Sequence, residues 1–172
     1  MPLHYVSGDA ALPNRVPSTV TVIVHVVNNI FVWGKGFVLS LDKHYPSIKL
    51  QYFEYQRIRR KAKAIDYLGD CQLTYDVSLS TPCKTTVVVN LFAQHGIRSA
   101  TNPRPLQYNA LRTSLMNLKD ELLRRKEDTF VIHMPRIGCG LVGGKWELVE
   151  IILMETIVPS FDVYVYDLPN VR

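Results

Sequence analysis

The chain has 172 residues, 47% of them hydrophobic, and carries a formal charge of +5 with a pI of about 9.2. That length fits one globular domain, 1–172, with a sizeable core, and no apolar run reaches the roughly 18–20 residues of a membrane span. Cys71, Cys83 and Cys139 are scattered, with no Cys-x-x-Cys pair, which argues against a disulfide framework and against a zinc or other metal site, and fits a reducing cytoplasm.

In chain order, Met1–Tyr5 lacks the basic and apolar regions of a secretory signal. Leu3–Ser7 reads as a first strand, ended by Gly8-Asp9. Residues 11–18, with Pro13, Asn14, Pro17 and Ser18, read as a loop. Thr19–Val27 is a β-branched run with the composition of a central strand buried on both faces. A glycine loop follows over Asn28–Phe37, and Val38–Tyr45 has helical spacing at Phe37, Leu41 and His44. Pro46 opens a second helical stretch to about Lys63, and Leu68–Tyr75 reads as a strand, an antiparallel one, before the break at Thr81-Pro82. Thr85–Phe92 is a buried strand with Val87, Val88 and Val89 at its core; residues 94–105 read as loop. Leu111, Leu115, Leu118 and Leu122 recur at helical spacing and mark the apolar face of a helix from about Gln107 to Lys126. The chain closes with a strand at Thr129–His133, a second glycine loop, a helix at Trp146–Val158 and a strand at Phe161–Tyr166. There is no internal repeat, low-complexity tract or interdomain linker. This alternation predicts an α/β fold with a mostly parallel sheet sandwiched between helices.

The chain thus twice builds strand, glycine loop, helix: once around Gly34-Lys35-Gly36, and once through Gly138, Gly140, Gly143 and Gly144. Glycine lets a backbone approach a phosphate, loop amides donate to it, and a helix N-terminus favours negative charge. In an open α/β sheet, ligands sit at the carboxyl ends of strands, where two such loops close on one ligand. Neither loop is a dinucleotide fingerprint or a P-loop. The residues alone therefore give a phosphate-bearing ligand in an α/β cleft, against the plain alternative of two tight connections that bind nothing. Cys139 reads as a small buried filler, with a nucleophile the sharper alternative. The basic run Arg57–Lys63 reads as a solvated helix end, with nucleic-acid contact the sharper alternative.

Three pieces occur in sequential order across Leu3–Asp167: Tyr5-Val6-Ser7-Gly8-Asp9-Ala10, then Val27-Asn28-Asn29 with Trp33-Gly34-Lys35-Gly36, and Pro135-Arg136-Ile137-Gly138-Cys139-Gly140-Leu141. In these the chain resembles the macrodomain family, in its branch of ADP-ribose-1''-phosphate-processing proteins and related bacterial and phage proteins. The resemblance implies a three-layer α/β/α fold with a mixed, mostly parallel central sheet. It implies ADP-ribose or ADP-ribose 1''-phosphate as ligand, and ADP-ribosylated macromolecules as further partners, with no cofactor and no membrane. Asp9, between Gly8 and Ala10, would accept from the adenine amine. Asn28 would hold the distal ribose, and Gly34, Lys35, Gly36 and Phe37 would lie along the diphosphate or that ribose. Gly138, Cys139, Gly140 and Leu141 would offer amides to the diphosphate, Arg136 would brace their loop, and Tyr166, beside Asp167, would flank the adenosine. The chain departs from hydrolytic relatives in three places. Ala93-Gln94-His95 stands where some carry a covalent lysine, Val142 where they carry an aspartate, and residues 30–37 contain no aspartate. An enzyme built this way would be a hydrolase working without covalent lysine, with Asn28, Gln94 and His95 its catalytic candidates and His95 a general acid or base. A non-catalytic ADP-ribose reader is the alternative, and a nucleic-acid-binding module using residues 57–63 a third.

Overall fold

A computed structural model describes residues 3–61, 67–76, 86–126 and 128–169. The expected helix end at Lys63, the break at Thr81-Pro82 and Cys83 lie outside them. The elements run β1 (Leu3–Ser7), β2 (Val20–Asn28), α1 (Phe37–His44), α2 (Ile48–Lys61), β3 (Cys71–Thr74), β4 (Thr86–Gln94), α3 (Tyr108–Leu123), β5 (Phe130–Pro135), α4 (Trp146–Thr156) and β6 (Asp162–Asp167).

The strands form one sheet in the order β1-β6-β5-β2-β4-β3. All neighbours are parallel except β3, which pairs antiparallel with β4. Alternate residues of β2 serve opposite faces, as the two-residue period of a strand requires. Val22 and Val24 join α3 and α4 in one core through Leu111, Leu115, Leu118, Val149 and Leu153. Ile23 and Val27 join α1 and α2 in the other through Leu41, Ile48 and Tyr52. The result is the expected helix–sheet–helix sandwich. Every residue of β4 is buried, as a strand covered on both faces should be.

The differences from expectation are at element ends. Helix α2 starts at Ile48 rather than Pro46, because residues 46–47 form a turn. Helix α3 stops at Leu123, one residue past the last apolar contact of its buried face at Leu122. Strand β4 continues to Gln94, into a stretch expected to be loop. Val27 pairs with Phe92 but Asn28 with Gln94, so the register slips by one residue at the strand ends. Such an irregularity re-aims the residues that follow it.

Candidate ligand cleft

All five parallel strands present their carboxyl ends on the same side, and β5 and β2 are neighbours there. The two glycine loops leave from these adjacent strand ends and touch: a Cβ placed on Gly36 would lie 3.5 Å from Leu141 Cδ1. Among the described residues, the backbone N–H groups of Gly34, Lys35 and Gly36 in one loop, and of Gly140, Leu141 and Val142 in the other, have no acceptor within the chain. Helices α1 and α4 begin just beyond, at Phe37 and Trp146, and their capping residues Gly36 and Lys145 make no side-chain cap hydrogen bond. Lys35 and Lys145 are exposed at the same end. Donor groups and positive helix ends therefore converge on one place.

The glycines divide by what surrounds them. A side chain at Gly144 would run into Gly138 O at 2.3 Å, and one at Gly138 into Leu106 at 2.7 Å. Packing against backbone requires glycine at 144, and a φ of +72° favours it at 138. Gly34 and Gly140 face open space with ordinary backbone angles, so the fold itself does not need glycine there.

Asp9 closes the cleft from β1. Its Oδ1 accepts from the Ala11 amide at 2.9 Å, and its Oδ2 accepts from the Ser40 hydroxyl of α1. Tyr45, just past the end of α1, also donates to Ala11 O at 3.0 Å, and Ala10 and Ala11 are buried beneath this junction. Ser40 was not legible as a site residue, since a lone serine in a helix carries no signal of its distant partner. Gly8 packs against the Tyr166 ring, 3.4 Å from where its Cβ would be. Tyr166 itself is 5% exposed, with its hydroxyl accepting from Asn14 N and bonded to His133 Nδ1 at 3.0 Å.

Asn28 is buried and organises its own loop. Its Oδ1 accepts from Ile30 N, Val32 N and the Tyr52 hydroxyl, and its Nδ2 donates to Val32 O at 2.6 Å. Gln94 is buried too and donates to Gly96 O at 2.9 Å. His95 is exposed and bonded through Nδ1 to Asn29 Nδ2 at 3.1 Å. Phe37 packs against His25, whose Nε2 meets Asn90 Oδ1 at 2.5 Å and whose imidazole burial pushes down to about 4.

Arg136 braces the second loop. Its Nε and a terminal nitrogen donate to the two Asp167 oxygens at 2.6 and 2.8 Å. Its guanidinium also lies over the rings of Tyr5 and Trp146. Burial pushes the Cys139 thiol up to about 11, and it donates weakly to Ile137 O. This is the environment of an inert filler, since the reactive form is the thiolate. In the basic run, Arg57 pairs with Glu54, Arg59 with Asp70, and Arg60 donates to Asn29 O while covering the Phe31 ring. Among the described residues no cluster of His, Cys, Asp or Glu fits a metal ion, and no helix is long and apolar enough to cross a membrane.

No family model matches the chain. A curated relative from Lodderomyces elongisporus, ADP-ribose 1''-phosphate phosphatase, is 26% identical over 97% of this chain and 100% of its own. A solved protein of unknown function from Bacteroides thetaiotaomicron is 37% identical, with a TM-score of 0.76 over 98% of this chain and 99% of that one. A macrodomain protein from Streptomyces coelicolor is 32% identical, with a TM-score of 0.74 over 96% of this chain and 99% of that one. With this identity over nearly both full lengths, and with two glycine loops closing over adjacent ends of a mixed α/β/α sheet, the chain belongs to the macrodomain family.

Proposed function

We propose that the chain, acting as one domain in the cytoplasm, binds ADP-ribose in this cleft and hydrolyses ADP-ribose 1''-phosphate. One observation carries the reading. Gly34 and Gly140 leave open space beside amides without acceptors, where the fold does not demand glycine. Space and donors kept together suit a diphosphate. The name of the Lodderomyces relative supports the choice of substrate.

In this reading the amides of Gly140 and Leu141, with Cys139 beside them, and those of Gly34 and Gly36 line the diphosphate and distal ribose. Asp9 takes the adenine amine on its remaining lone pairs, and Gly8 and Ala10 shape that end against Tyr166. Lys35 supplies positive charge. Water attacks the terminal phosphorus as the bond to the ribose oxygen breaks, and a water proton passes by way of a phosphate oxygen of the ligand to that departing oxygen. ADP-ribose and inorganic phosphate result, with backbone amides stabilising charge on the phosphoryl oxygens. A ligand phosphate oxygen orients the water. An ADP-ribosyl group carried on a macromolecule would be a further ligand of the same loops in this reading.

Asn28 and Gln94 spend their amides inside the chain. This favours a second reading, a non-catalytic ADP-ribose reader. Calorimetry with ADP-ribose, followed by phosphate release from ADP-ribose 1''-phosphate, separates the two. Gly140→Val should fold, because its side chain enters open space, yet lose at least about tenfold in affinity, or roughly 1.4 kcal/mol. Unchanged affinity in the folded variant would place the ligand elsewhere. Binding without phosphate release would leave the reader.

A further inference from the structure

We propose that Asn29 is a positioning residue that holds His95 as a neutral Nε2–H donor to an anionic oxygen of the ligand, and not as a general base. The inference rests on the cleft being a phosphate-ligand site, and it starts from which way one amide faces. Asn29 Oδ1 lies 3.1 Å from the backbone nitrogen of Gly96. A backbone N–H only donates, so the oxygen of the Asn29 amide must face Gly96. Its nitrogen must then face His95, whose Nδ1 is 3.1 Å away. An amide nitrogen also only donates, so Nδ1 accepts and the proton of the neutral ring sits on Nε2. Among the described residues Nε2 has no partner.

The frame around this pair is fixed. His95 N donates to Pro105 O at 2.9 Å, and Asn102 Nδ2 donates to His95 O at 2.9 Å. The Asn29 carbonyl accepts from Tyr67 and Arg60. The ring is thus carried at the end of β4, beside the first glycine loop, with its donor side unspent. A phosphate oxygen only accepts, so an Nε2–H complements it, whereas an Nε2 lone pair would oppose it. Water activation is then left to the substrate's own phosphate.

The test reads the ring directly. In protein labelled with 15N-histidine, a long-range 1H–15N spectrum recorded without ligand should show His95 as the Nε2–H tautomer. Asn29→Asp keeps an acceptor for Gly96 N–H but turns an acceptor toward Nδ1, so the pattern should move to the Nδ1–H tautomer. In a double-mutant cycle with His95→Ala, Asn29→Asp should lower ADP-ribose 1''-phosphate affinity about three- to tenfold more in the presence of His95 than in its absence. An Nδ1–H pattern in the unmodified protein, or a coupling within twofold, would overturn the proposal. Absence of any ADP-ribose binding would instead sink the function reading, while the ligand-free spectrum still decides whether Asn29 sets the ring.

Discussion

Asp9 holds the Ala11 amide with one oxygen and Ser40 with the other, so it has both a bracing role and lone pairs to spare for a ligand. The two are separable. Asp9→Ala should weaken ADP-ribose binding by on the order of 1.5–3 kcal/mol, the worth of a hydrogen bond to a charged group, and leave ribose-5-phosphate binding unchanged. Ser40→Ala removes only the tie to α1 and should keep ADP-ribose affinity within about threefold. If titration calorimetry finds equal losses for the two variants, Asp9 acts by holding α1 and not by reading adenine.

The second glycine loop is tied down from outside. Arg136 joins its start to Asp167 at the end of β6, and its guanidinium lies over Tyr5 of β1 and Trp146 of α4. Trp146 Nε1 donates to the Tyr5 hydroxyl at 3.0 Å, and that hydroxyl donates to Glu150. Hydrogen bonding to Arg136 holds the Asp167 carboxyl below the usual carboxylate range. The pair is about half exposed, so its worth to global stability is small, about 0–1 kcal/mol. Its effect is local. Asp167→Asn should leave the melting temperature nearly unchanged but speed hydrogen exchange at the amides of residues 138–142 and weaken ADP-ribose binding several-fold. Arg136→Lys should do the same, because lysine keeps the charge but loses the two-pronged geometry and the flat ring contact. Exchange rates unaltered in both would show that the loop holds itself.

Two histidines sit in the interior of the whole molecule. His25 and His133 are almost fully buried, and desolvation pushes both imidazoles down to about 4. In the unfolded chain each returns to about 6.5. The unfolded state therefore binds protons that the folded state refuses. Their contribution is fully present above pH 6.5 and is lost as pH falls toward 4, by at most about 1.4 kcal/mol per pH unit for each histidine. Urea midpoints at pH 7, 6 and 5 should fall in that order, and His133→Gln should show a shallower slope than the parent. Parallel slopes for the two would mean that His133 takes up its proton in the folded protein as readily as in the unfolded one.

Strand, glycine loop and helix were legible twice along the chain because each is a local signal. The β-branched run of β2, the leucine spacing of α3 and the glycines of residues 138–144 all act through near neighbours. The motif pieces at Gly8-Asp9, Asn28-Asn29 and Gly138–Leu141 sufficed for the family, because each is a short contiguous run at the carboxyl end of a parallel strand, although the sheet places them in the order β1, β5, β2 and not in chain order. What no local pattern carried was who meets whom across the sheet. Asp9 finds Ser40 at a separation of 31 residues, and Asn29 finds His95 at 66. The second meeting depends on β2 lying beside β4, and on a one-residue slip at Asn28 and Gln94. Strand order and register are set by burial of the whole sheet between two helical layers, which no single segment can encode. The open space at Gly34 and Gly140, and the direction in which the Asn29 amide faces, are consequences of that assembly.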